Sequence, residues 1–272
     1  MRERRWRSGS YALVTAIVVA MAIGCSDGSA PAAEVALVEG AIEARLVRIV
    51  DGDTIDVRIG AREESVRFLG VDAPERGRDG KPAEPLYREA TAFVERALAG
   101  GSVRLLADPL GDDRDRYDRI LRYVVLPDGS TLNEALIREG LGAALTEWPY
   151  GRMDAFVEAE RDARRAGRGM WSDDRIRRVP WEDAPRHEGA VVDVTGTIVS
   201  SRCLKTICFL NSHEDYRTHA AVVILDSDRH RFEGDPSLVY RGRQVRVIGR
   251  VTFHRDRPQI VLHAPDQITA LD

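Results

Sequence analysis

Apolar and polar positions alternate with a period of two over residues 44–50 and 54–59, the spacing of half-buried strands, and Asp51-Gly52 between them supplies a turn. A third run, 65–71, ends at Asp72, and Pro74 prevents its continuation. The period then changes. After a charged loop rich in Gly and Pro (76–83), Pro85 stands where a helix begins. Leu86, Ala90, Phe93, Val94, Ala97 and Leu98 share one helical face, and Gly100 stops it. Residues 102–107 and 120–126 alternate again and predict two more strands, separated by the polar loop 111–119. Thr131 with Glu134 forms a capping box that opens a short helix ended by Gly140. A last helix, over about 153–166, turns Met153, Phe156, Val157 and Ala163 inward. Five strands with three helices predict a small barrel packed on helices over 41–174.

The stretch 175–187 is charged and carries Pro180 and Pro185, a linker composition. Beyond it the pattern is all-β. Residues 189–199, 207–210, 220–225, 244–253 and 259–262 predict five strands, with a short helix or turn at 235–240 before the fourth. That count suits a small OB-like domain over 188–272, and the chain as a whole is a mainly β, α+β protein of two domains.

The N-terminus departs from this globular pattern. Four arginines fall within residues 1–10, and residues 11–23 are then apolar or small throughout, ending at Gly24-Cys25. This predicts a secretory signal at 1–24, because the apolar core is several residues short of the roughly 20 a spanning helix needs. The tetrapeptide AIGC resembles the bacterial lipobox, with Ala22 where leucine is usual, and so makes Cys25 a candidate for lipidation. An ordinary cleaved signal or an uncleaved anchor is the alternative. Residues 25–40, rich in Ala and Ser, would then form a tether, and the protein would be exported and held at a membrane surface by acyl chains.

Composition narrows the chemistry. The chain of 272 residues carries a net charge of −4, and residues 1–24 hold four arginines and one glutamate, so the processed chain is more acidic still. An acidic surface does not bind polyanions indiscriminately, so a nucleic-acid site must be local, built from a bound cation or a basic cleft. Of three cysteines, Cys203 and Cys208 are left to pair if Cys25 carries lipid; two small buried hydrophobes that never bond are the alternative. The six histidines show no metal-ligand spacing.

The candidate chemistry lies in Asp53, Asp72 and Glu75 with Arg67 and Arg119. Three carboxylates can hold a hard cation and position water, and two guanidiniums can neutralise charge developing on phosphate oxygens. Taken singly the motifs are bland: DGDT can be only a turn, DAPE a polar strand exit, and Arg67 a solvated strand residue. Arg67 also lies five residues before Asp72, on the opposite face of a straight strand, so the two share a site only if the strand bends.

In order and spacing, VDGDT, RFLGVDAPE, DRYDRILRYVVLPDG and NEALIREGLG closely resemble the staphylococcal nuclease, or thermonuclease, family from about Ile42 to Trp171. The resemblance implies a five-stranded OB-type barrel with three helices and a calcium-dependent nuclease acting on DNA and RNA. It implies Asp53, Asp72 and the backbone carbonyl of Ala73 as ligands to Ca2+, and Glu75 as the group that orients or deprotonates the attacking water. Arg67 and Arg119 would grip the scissile phosphate. Arg116 and Tyr117 match positions that contact a terminal phosphate, while Thr146 and Trp148 stand where family aromatics line the base pocket; Trp148 and Tyr150 could stack on a base or pack in a core. The C-terminal domain resembles OB-like modules appended to some bacterial homologues, offering Phe209, Tyr216, Arg217, Arg231 and His254 to a single strand or to its own core. No obligate protein partner is implied. The competing class is a non-catalytic nucleic-acid-binding lipoprotein that keeps the barrels and has lost the chemistry.

Overall fold

The computed structural model describes residues 40–77 and 80–271. The expected signal, Cys25 and all of the tether but Gly40 lie outside the described residues, among which no helix is long and apolar enough to cross a membrane. The first domain contains β1 (Ile42–Ile49), β2 (Thr54–Ile59), β3 (Arg62–Phe68), β4 (Val71–Asp72), α1 (Tyr87–Ala97), β5 (Ser102–Leu106), β6 (Ile120–Val125), α2 (Leu132–Arg138), β7 (Ala143–Ala144) and α3 (Met153–Arg165). Five of these strands close a barrel in the order β1-β2-β3-β6-β5, parallel only where β3 meets β6. Inward residues such as Ile55, Val66, Phe68, Leu105 and Val124 fill it, and Leu132, Leu136 and Phe156 from the helices continue the same core. Each such side chain contributes on the order of 1.5–3 kcal/mol by leaving water.

The strand expected over 65–71 is two strands. Gly70 adopts φ +75°, and a Cβ there would lie 2.6 Å from the Tyr150 ring, so the chain breaks sharply after Phe68 and restarts as β4, paired with β7. The expected start of the first helix at Pro85 moves to Tyr87, because Leu86 takes a left-handed conformation with φ 71° and packs beneath the next domain. Asn133 on α2 is wholly buried. Its carboxamide accepts from Val124 N (2.9 Å) and donates to Leu69 O (2.9 Å) and Arg122 O (3.2 Å), pinning the kink against the barrel.

The stretch 175–187 is folded rather than a free linker. It supplies β8 (Arg177–Arg178), parallel to the next strand, and a 3-10 turn Trp181–Arg186 whose Trp181 is buried with its indole N–H on Ala220 O at 2.8 Å. There follow β9 (Val191–Thr197), β10 (Ser200–Cys203), β11 (Ile207–Asn211), β12 (Ala221–Leu225), α4 (Asp226–Arg229), α5 (Pro236–Val239), β13 (Gln244–His254), β14 (Arg257–Val261) and β15 (Ile268–Ala270). The strands of this domain form one eight-stranded sheet ordered β10-β11-β12-β14-β13-β9-β8, with β15 on β13. Three more strands are present than the alternation predicts, because β8, β10 and β15 are two to four residues long. Cys203 and Cys208 sit opposite each other in the β10–β11 register and are joined by a disulfide.

The two domains share an apolar seam of Leu86, Ala163, Met170, Trp171 and Val191, with Ile248 against it. Beside it, Thr146 of the first domain donates to Asp228 (2.6 Å), which also holds His263 (2.9 Å) and Arg231 (2.5 Å). Arg164 on α3 reaches Asp266 (3.2 Å).

Candidate active site

The β1–β2 turn and the β3–β4 kink meet at one rim of the barrel. Thr54 lies opposite Arg67 in the β2–β3 register, and Phe68 N donates to Asp53 O at 2.8 Å, so Asp53 and Arg67 are neighbours by backbone pairing alone. The break at Gly70 then brings Asp72 onto the same rim, which a straight strand would not do. Arg67 Nη2 stands 3.1 Å from Asp53 Oδ2 and 4.0 Å from Asp72 Oδ1: a positive group lies between the two carboxylates. Asp53 is further fixed by Ala73 N (2.8 Å) and Thr54 Oγ1 (3.0 Å).

Arg119 enters from the loop before β6. Asp115 accepts from the main-chain N–H groups of Tyr117 (2.9 Å) and Arg119 (3.0 Å) and from Arg119 Nε (2.7 Å), while Asp118 with φ 67° closes the turn. Burial opposes ionisation of Asp115, but these bonds outweigh it and hold its carboxyl below the ordinary range. Arg119 Nη1 reaches Thr54 Oγ1 at 3.3 Å, so a hydrogen-bonded chain runs from Arg119 through Thr54 to Asp53.

The rim is crowded with negative charge. Burial pushes Asp53 up to about 7 despite Arg67, with Asp51 and Asp72 adding to the rise. Glu75, exposed on the rim, is also raised, first by partial desolvation and then by Asp51, Asp72 and Glu84. The carboxylates of this rim offer oxygen donors only, the chemistry that suits a hard divalent cation.

One contributor to the site was not evident from the sequence. Arg250 on β13 is only 6% exposed and comes from the C-terminal domain. Its guanidinium donates to Asp72 Oδ2 (2.7 Å), Asp72 O (3.2 Å), Glu84 Oε2 (2.5 Å) and Gly189 O (3.2 Å). Glu84 in turn accepts from Glu75 N at 3.0 Å. Arg250 therefore ties together the segments that carry Asp72 and Glu75. Gly189, with φ +78°, lies so close to Glu84 that a Cβ would sit 2.5 Å from its side chain. No local signal marks Arg250: in VRVIGRVTF it falls on the same alternating face as Arg246, opposite Val245, Val247 and Val251.

The remaining expectations divide. Arg116 and Tyr117 stand beside Arg119, with Tyr117 exposed beneath both guanidiniums, 4.7 and 5.4 Å from its ring centroid. Trp148 is 60% exposed, whereas Tyr150 and Thr146 are buried, Tyr150 against Phe156 and Thr146 on Asp228, so neither is free to stack on a base. Arg231 is taken by Asp228 and Asp154.

A closed barrel gathering carboxylates and guanidiniums at one rim defines a phosphodiester hydrolase of the nuclease class. Residues 65–173 match the family described as staphylococcal nuclease homologue. The chain is 35% identical over 129 residues to a thermonuclease of Staphylococcus hyicus, covering 47% of this chain and 75% of that protein. It is 34% identical over 132 residues to an uncharacterized endonuclease of Escherichia coli (48% and 78%) and 33% identical over 133 residues to the endonuclease YncB of Bacillus subtilis (48% and 62%). The chain belongs to the staphylococcal nuclease family.

Proposed function

We propose that the protein is a calcium-dependent nuclease that hydrolyses phosphodiester bonds in DNA and RNA at the Asp53–Asp72 rim. The observation that carries this reading is the position shared by Asp53 and Asp72 at one rim, which already accommodates the positive Arg67 Nη2. Asp53, Asp72 and the Ala73 carbonyl would hold Ca2+, which supplies Lewis-acid polarisation of a phosphate oxygen when bound. Glu75, whose partial desolvation and acidic neighbours raise its proton affinity, accepts a proton from the attacking water. Arg67 and Arg119 offer planar forks to the phosphate oxygens, neutralising the charge that grows as the P–O5′ bond breaks. Arg250 acts through Asp72 and Glu84 and touches no substrate; its role is to position the ligand and the base.

Incubation with single-stranded DNA tests the assignment directly. Cleavage is expected with calcium and lost with chelator or with Arg119→Ala. Binding without calcium-dependent cleavage would return the protein to the class of non-catalytic binders.

We propose further that the protein is exported and anchored through acylated Cys25. The support is the basic, then apolar, then Gly24-Cys25 sequence. Cys25→Ser should move the protein from the membrane to the soluble fraction; an unchanged distribution with no lipid mass on the N-terminal peptide rejects the anchor.

A further inference from the structure

A groove of about 910 Å³ lies between the domains, and Asp72 is among the residues that line it. Its floor follows from strand alternation. On β11 and β12, Cys208, Leu210, Val222 and Ile224 turn into the C-terminal core, so Phe209 and Val223 face the other way, where Val261 of β14 joins them. One wall is the 143–147 segment that follows the catalytic barrel's α2.

The mouth has a different character. Tyr216 is 41% and Phe253 37% exposed, and Arg217 and Arg257 lie over the Tyr216 ring at 5.6 and 5.5 Å. The β13–β14 hairpin turns on Arg255 and Asp256, both at positive φ (50° and 61°), which projects Arg255 and Arg257 past the sheet. Among the described residues Arg202, Arg255 and Arg257 have no carboxylate partner, although the chain as a whole is acidic. Exposed aromatic rings beside guanidiniums that no carboxylate engages, in a groove that Asp72 also lines, suit an unpaired polynucleotide: a base can stack only when its face is free, and the backbone supplies one charge per nucleotide.

We propose that this groove is an extended binding site for single-stranded nucleic acid, holding the nucleotides that run on from the scissile phosphate, with Tyr216 and Phe253 stacking on bases and Arg202, Arg255 and Arg257 following phosphates. The proposal rests on the nuclease reading only for the direction in which the strand runs.

Binding of fluorescein-labelled oligothymidylates to the full-length protein in chelator, where no cleavage is expected, separates the two. An oligomer of about 16 nucleotides should bind at least about tenfold more tightly than one of about 4. The pairs Arg255→Glu with Arg257→Glu and Tyr216→Ala with Phe253→Ala should abolish that gain while leaving the short oligomer unaffected. The charge pair should also flatten the salt dependence by about 1.4 in the log–log slope, the value for two phosphate contacts on a single strand. With calcium, cleavage of the short oligomer by these variants should equal wild type. A length gain that persists in both pairs, or is absent in wild type, overturns the groove; so does an equal gain for a duplex of the same length. A groove that behaves as expected in a protein without calcium-dependent cleavage overturns the nuclease reading alone.

Discussion

Two clusters of charge sit within this molecule and differ in how they are finished. At Asp228, 0% exposed, every charge is closed: Arg231 lies on one oxygen, His263 and Thr146 on the other, and Asp154 takes the outer side of Arg231. At the barrel rim, Asp53 and Asp72 crowd about Arg67, and desolvation first, then the neighbouring acids, raise the proton affinity of Asp53 and Glu75. The first arrangement is what a buried polar network needs in order to hold domains together. The second leaves carboxylates of raised proton affinity at a rim, and such perturbed groups cluster at functional sites.

Substitution can break the contrast. Asp228→Ala leaves Arg231 and His263 buried without their shared carboxylate and should cost about 3–5 kcal/mol of stability in urea unfolding, with cleavage by the folded fraction near wild type. Arg119→Ala should do the reverse: the unfolding midpoint stays close to wild type, while kcat falls by on the order of 100-fold, about 3 kcal/mol of transition-state stabilisation. If both variants lose stability alike, the rim is structural after all. Arg250→Met belongs to both classes, since it removes the cation that orients Asp72 and Glu84. Calcium affinity by calorimetry should fall about 10–100-fold, and Arg250→Lys should restore part of it; tighter calcium binding would show that Arg250 competes with the metal.

The smallest effect concerns pH. Burial disfavours the charged form of His263, but Glu160 and Asp228 outweigh it, and Arg164 opposes them, so its pKa stands above the ordinary value. A folded pKa above the unfolded one contributes stability that is complete below about pH 6.5 and lost as the pH rises through the folded value. The difference in melting temperature between wild type and His263→Phe should therefore shrink toward alkaline pH. A difference that grows with pH rejects the ion pair.

The barrel and most of its rim were legible because their determinants are local. Alternation gives the five strands, and Asp53, Arg67, Asp72 and Glu75 fall within 23 consecutive residues of chain. The kink that joins Arg67 to Asp72 was visible only as a conflict of spacing, because its cause is the approach of Tyr150 to Gly70, a tertiary contact. Tyr150 itself was ambiguous for the same reason: an aromatic near a site stacks or packs according to its neighbours, and Phe156 decides it here. Arg250 was not legible at all as part of the site. Its separation of 178 residues from Asp72 and its seat beside Gly189 follow from pairing in another domain.

That separation has a consequence in time. Asp53, Arg67, Asp72, Glu75 and Arg119 are synthesised within 67 residues of one another, but Arg250 follows Arg119 by 131 residues. A chain that stops before β13 therefore carries the acids and arginines of the rim without the guanidinium that holds Asp72 and Glu84 in register. The rim is finished only after β13 of the C-terminal domain has been made, so its order depends on a part of the chain that is translated and paired later.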